Sequence, residues 1–94
     1  MAAQRIRFRV HAIRRMFERG ITEEDVAHVL STGEIIEEYP DDQPYPSRLV
    51  LGRCGKRPLH VVAADNQADD ETIIVTVYEP DAEIWGNEFR RKKE

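Results

Sequence analysis

Polar and apolar residues alternate without a break over residues 5–10, in the order Arg, Ile, Arg, Phe, Arg, Val. A period of two marks a strand with one buried face, and it places the three arginines together on the other face. From His11 the period lengthens. Ala12, Ile13, Met16 and Phe17 fall on one side of a helical wheel, His11, Arg14, Arg15 and Glu18 lie opposite, and Arg19 stands at the margin. Gly20 follows as the C′ residue that ends this helix. Thr22 is the predicted N-cap of a second helix, with Glu23, Glu24 and Asp25 near the positive end of its dipole and an acidic residue where a capping box needs one. Val26, Val29 and Leu30 form its buried stripe, and Gly33 stops it.

Residues 34–39 read as a short strand before a loop, residues 40–47, that holds three prolines and two aspartates. Residues 48–53, 58–64 and 72–78 are three β-rich runs separated by CGK and by the acidic loop DNQADDE, a pattern that predicts an antiparallel meander. Glu79-Pro80-Asp81 closes the sheet and starts a last short helix carrying Trp85 and Phe89, ahead of a solvated RRKKE tail. The predicted class is α+β: an N-terminal strand and two helices packed on an antiparallel sheet of four to five strands, with a short C-terminal helix.

Ninety-four residues suit one domain, residues 1–94, with a single core and no internal repeat. Hydrophobic residues make up 40% of the chain, enough for that core, and the 34% that are charged fit a soluble protein. The longest apolar runs, such as LVL and IIV, fall far short of the roughly 20 residues of a membrane span. No apolar stretch of signal-peptide length follows the basic N-terminus, and the single Cys54 has no internal disulfide partner, so a reducing cytoplasm is the expected location.

Charge changes the picture more. The net formal charge is −4, yet residues 1–20 carry +5, residues 21–84 carry −11 and the last ten carry +2. Positive charge is gathered at the two chain ends, which in a small domain often lie close enough to form one basic patch. All six cations of the first twenty residues are arginine, whose planar fork matches phosphate oxygens. Arg15 and Arg19 follow His11 at i+4 and i+8, so the three reach one ligand from one helix face. A second candidate is His60, within RPLHVVAA. If Ala64 pairs with Thr72, His60 lies opposite Thr76 with Tyr78 on a diagonal, all on one face. An imidazole there suits a general acid or base, since histidine titrates near neutral pH. The alternative is a half-buried histidine bonded to a backbone carbonyl. No glycine-rich phosphate loop, no GxSxG elbow and no metal-ligand spacing is present, and His28 is expected on the surface of the second helix.

Four segments occurring together, HAIRRMFERGI, GEIIEEYPDD, RPLHVV with its leading position split by CGK, and TVYEPD, carry a resemblance. Over almost its whole length the chain resembles the bacterial family of domain of unknown function 4258. That resemblance implies a small toxin-like protein with a zinc-finger type antitoxin as partner, related to RelE-like and BrnT-like ribonuclease toxins whose fold sets helices against an antiparallel sheet. Such toxins tend to be basic, whereas this chain is acidic. The implied activity is a metal-independent endoribonuclease of a toxin–antitoxin system, without a cofactor, cleaving RNA by attack of the 2′-hydroxyl. Its expected base and acid are His60 or His11, with Tyr78 as proton donor or orienting group. Arg15, Arg19 and Arg48 are the expected phosphate clamps, and Arg7 and Arg9 extend the track. The competing readings are a noncatalytic module docking an acidic protein through its basic strand and helix, and an inactive descendant of a toxin fold.

Overall fold

Each change of period in the sequence becomes a change of element in the computed structural model, which describes residues 5–86, 88 and 89; the RRKKE tail lies outside the described residues. In chain order the elements are β1 Arg5–Phe8, α1 Val10–Arg19, α2 Glu23–Thr32, β2 Glu34–Tyr39, β3 Ser47–Cys54, β4 Arg57–Asn66, β5 Glu71–Tyr78 and α3 Ala82–Trp85. Strands β2 to β5 form the antiparallel meander. β1 joins the free edge of β5 in parallel, giving one mixed sheet in the order β1-β5-β4-β3-β2. The sequence pattern predicts an antiparallel sheet; β1 departs from it because a period of two records which face is buried and is silent on strand direction.

The helices share one face of the sheet, α1 over β5 and α2 over β3 and β4. Ala12, Met16, Ile21, Val26 and Val29 pack there against Val50, Leu59, Val61, Ala63, Ile74 and Val77. Alternate positions, among them Leu49, Leu51, His60 and Ala64, are buried on the opposite face, where Trp85 of α3 packs on His60. Of the apolar side predicted for α1, only Ala12 and Met16 are buried; Ile13 and Phe17 are exposed. A helix packed on one side against a sheet buries only the stripe that faces it, so the arc splits into a buried row and a free one. The last helix ends at Trp85, and Phe89 lies beyond it with a positive φ of 61°.

Gly20 ends α1 in the left-handed region, φ 65° and ψ 37°, with its N–H directed to the carbonyls of Met16 and Phe17. Arg57 of β4 closes the same end from outside. Its guanidinium donates to the carbonyls of Arg19 and Gly20, while its Nε donates to Glu79 at 2.6 Å. At the start of α2 the Thr22 hydroxyl accepts from the Asp25 N–H and the Asp25 carboxylate accepts from the Thr22 N–H, both at 3.0 Å. The backbone N–H of Thr22 holds the Asp25 carboxyl below its ordinary range. Gly33 and Gly52 serve closeness. A Cβ on Gly33 would lie 2.5 Å from the Val29 carbonyl oxygen and 2.6 Å from that of Leu51, and one on Gly52 would lie 2.8 Å from Val29 Cγ1. α2 therefore rests directly on the backbone of β3.

A bulge between Val62 and Ala63 sets the register of β4 on β5: Val62 pairs with Thr76 but Ala63 with Ile74, leaving Val75 as the extra residue. On the turn side of the bulge Ala64 already pairs with Ile73, not Thr72, and the bulge adds one more residue of shift, so His60 stands directly opposite Tyr78, not Thr76.

Candidate functional site

The register places the His60 and Tyr78 rings 5.2 Å apart between centroids, at 72°. His60 is fully buried. Its Nε2 donates to the carbonyl oxygen of Phe89 at 2.8 Å, which leaves Nδ1 of the neutral ring to accept from the Tyr78 hydroxyl at 3.1 Å. Trp85 closes over the imidazole edge-on, with centroids 4.5 Å apart. Burial pushes the His60 ring below its usual pKa against the smaller opposing pulls of Phe89 and Glu37, and burial pushes the Tyr78 hydroxyl up. Phe89 is gripped a second time by the Arg53 guanidinium, 5.7 Å from its ring centroid. The cluster is thus a dry, hydrogen-bonded clasp joining the sheet to the segment after α3. Trp85 and Phe89 were read from sequence only as carried by the last helix, and Glu37 and Arg53 were not tied to His60; the four come from three separate stretches of chain, and no spacing rule relates them to His60.

α1 presents the opposite situation. His11, Arg15 and Arg19 form one row, and with Arg14 they are all exposed. Among the described residues none of these four side chains is in an ion pair with a carboxylate. The row lies on one flank of the buried pair Ala12 and Met16, so all three side chains address the same strip of solvent. Arg9, the N-cap residue of α1, is also exposed. Arg7 of β1 is 3.7 Å from Glu71 and Arg5 is 3.8 Å from it, so the β1 end of the track is partly neutralised. Arg48 is not in this group. It is ion-paired to Asp65, half-buried, on β3, two strands removed from β5.

His11 and His60 are kept apart. α1 rides on the face formed by Leu59 and Val61, whereas His60 belongs to the other face, so the sheet stands between the two imidazoles. His28 is exposed on α2. The Cys54 thiol lies 3.6 Å from the Asp25 carbonyl oxygen, and burial pushes its pKa up, away from a reactive thiolate. Among the described residues no three His, Cys, Asp or Glu side chains converge on a point that would hold a metal ion, and no helix is long and apolar enough to cross a membrane.

A further feature of α1 was within reach of the sequence: Val10, Ile13 and Phe17, spaced i, i+3 and i+7, form an apolar row separate from Ala12 and Met16. Comparison with known proteins bears on the chain as a whole. The profile of a family described as Domain of unknown function (DUF4258) matches residues 8–79, which takes in α1 and every strand but the first part of β1. Neither a curated protein nor a solved structure matches the chain.

Proposed function

The chain belongs to the DUF4258 family, and on that premise we propose that it binds RNA through α1 and acts as a toxin-like, metal-independent endoribonuclease with His11 as the reacting imidazole. One observation supports this above others: His11, Arg15 and Arg19 stand in a line on a solvent-exposed flank without an ion-pair partner among the described residues, in a chain of net charge −4. Successive groups four residues apart are about 6 Å apart along the helix axis, so the row spans a phosphodiester and its neighbours. In the reaction the 2′-oxygen bonds to phosphorus and the bond to the 5′-oxygen breaks, leaving a 2′,3′-cyclic phosphate and a 5′-hydroxyl. His11 takes the 2′-hydroxyl proton, Arg15 and Arg19 stabilise charge building on the phosphate oxygens, and solvent supplies the proton to the 5′-oxygen. In this reading Arg9 and Arg7 extend the track towards β1, while His60 and Tyr78 hold the C-terminal segment in place. A toxin of this kind works in the cytoplasm and is held in check by an antitoxin protein, of the zinc-finger type implied by the family resemblance.

A noncatalytic RNA-binding module is the second reading, and the separation of His11 from His60 by the sheet favours it, since two imidazoles on opposite faces do not form a base and acid pair. The two readings part on one experiment. Labelled single-stranded RNA is incubated in excess chelator, with and without ribosomes, with wild type, His11→Ala and His60→Ala. Cleavage to cyclic phosphate ends by wild type, abolished in His11→Ala while RNA binding persists, is the expected result. Salt-sensitive binding without cleavage under both conditions selects the second reading. Cleavage that survives His11→Ala but is lost in a folded His60→Ala transfers the chemistry to the clasp.

A further inference from the structure

α1 carries more apolar surface than the core takes up. Ala12 and Met16 are buried, while Val10, Ile13 and Phe17 are 73%, 53% and 88% exposed. Their spacing puts the three on one flank, so they make a continuous ridge and not scattered surface residues. The helical wheel sets that ridge on the far side of the buried pair from His11, Arg15 and Arg19. Its charged neighbours are mostly cations. Arg14 lies beside Val10 and Phe17 on the wheel, Arg9 precedes Val10, both are exposed, and Glu18 is the single carboxylate that α1 contains.

We propose that this ridge docks an acidic amphipathic helix of another protein. Apolar side chains of the partner, repeating every third or fourth residue, seat against Val10, Ile13 and Phe17, and flanking carboxylates meet Arg9 and Arg14. Anchors at i, i+3 and i+7 are the pattern by which an amphipathic helix is read by an apolar surface, and the bordering arginines select the sign of the partner's charge. A second copy of the chain fits the ridge poorly. A two-fold contact sets the patch against its own copy, residue i on j and j on i, so the exposed cations Arg9 and Arg14 would face a surface bordered by more cations than carboxylates.

Ridge and cationic row occupy different flanks of α1 and share only Arg9, so a change at Phe17 or Arg14 leaves RNA binding measurable. The test is a selection on the full chain from a displayed library of amphipathic helices, with three apolar positions fixed and the flanking positions varied among Glu, Lys and Gln. Glu is expected to be enriched at the flanks. Affinity of a selected peptide, read by fluorescence anisotropy, is expected to fall at least about tenfold in Phe17→Ser and at least about threefold in Arg14→Gln. RNA binding stays unchanged in Phe17→Ser, a surface variant whose fold is checked by circular dichroism. A selection that enriches nothing, enriches Lys, or yields peptides indifferent to Phe17→Ser overturns the proposal. So does a wild-type dimer in sedimentation that Phe17→Ser converts to monomer, which assigns the ridge to self-association.

Discussion

Gly52 is where α2 and the sheet come closest, and replacing it with alanine puts a number on that contact. The new methyl would sit 2.8 Å from Val29 Cγ1, 2.9 Å from Cγ2 and 3.0 Å from Cβ, against about 3.5–4.0 Å for carbon atoms at ease. Val29 has no room to yield: it is fully buried, and a β-branched residue in a helix is held to one dominant χ1 well. The clash must therefore move α2 off β3, and overpacking of this kind costs about 1–3 kcal/mol. The backbone at Gly52 is not in the left-handed region, so alanine also narrows the unfolded ensemble and returns about 0.4–1 kcal/mol. The balance is a loss of about 1–2 kcal/mol, which lowers Tm by roughly 4–8 °C per kcal/mol in a domain of this size. Urea unfolding of the full chain, followed by circular dichroism, measures it. Val29→Ala removes Cγ1 and Cγ2, the two nearest of the clashing atoms, so the double variant is expected to be more stable than the sum of the single effects by at least about 1 kcal/mol. Gly52→Ala within about 0.5 kcal/mol of wild type, or a strictly additive double variant, would refute the close contact.

Three further outcomes follow from the same geometry. Burial keeps His60 neutral when folded, whereas an unfolded histidine takes up its proton near pH 6.5; the unfolded state then binds more protons, and stability present above that pH is lost below it by up to about 1.4 kcal/mol per pH unit. Comparing denaturation midpoints at pH 7 and pH 5, His60→Gln should lose less than wild type; equal losses contradict the buried neutral ring. Thr22→Ala removes one half of the capping box and should cost about 1 kcal/mol in chemical denaturation, an unchanged midpoint speaking against it. If RNA is held by the exposed row, Arg15→Ala lowers the slope of log affinity against log salt by about one. Arg48→Ala leaves that slope unchanged because Arg48 is already paired with Asp65, and a shared loss would return Arg48 to the binding track.

Much of the architecture was legible because its determinants are local. The alternation of β1, the capping residues Thr22 and Asp25 and the stop at Gly20 each act within a few residues. α2 and the end of α1 lie where those signals put them, whereas the strand read over residues 5–10 stops at Phe8, Val10 opens α1, and Ile6 of the expected buried face is exposed. The direction of β1 was not legible, since it depends on which strand offers a free edge after the meander has formed. The pairing of His60 was displaced by two residues, one from the register at the turn end, where Ala64 meets Ile73, and one from the bulge at Val75, which no residue type announces. The alternative that His60 is bonded to a backbone carbonyl holds, but its full burial was hidden: its cover is Trp85 and Phe89, far along the chain, and alternation in β4 shows only that His60 shares a face with Val62 and Ala64. On α1 the polar row was read correctly as exposed. The apolar residues were read as one side of the helix, although their two rows, one buried and one exposed, could have been separated by spacing alone.

The parallel pairing of β1 with β5 ties the first strand of the chain to the last, with Arg5 beside Glu71 and Phe8 beside Ile74. During synthesis on a ribosome the N-terminal segment emerges first but has no edge to join until residues 71–74 have also emerged. Contacts so distant in sequence are slow to close and come late. The arginine-rich segment is therefore made well before the strand that fixes it and is among the last parts of this domain to be fixed. A message cut short before β5 yields a polypeptide whose α1 lacks the strand it packs on, so placement of the cationic row on the fold is tied to synthesis of β5.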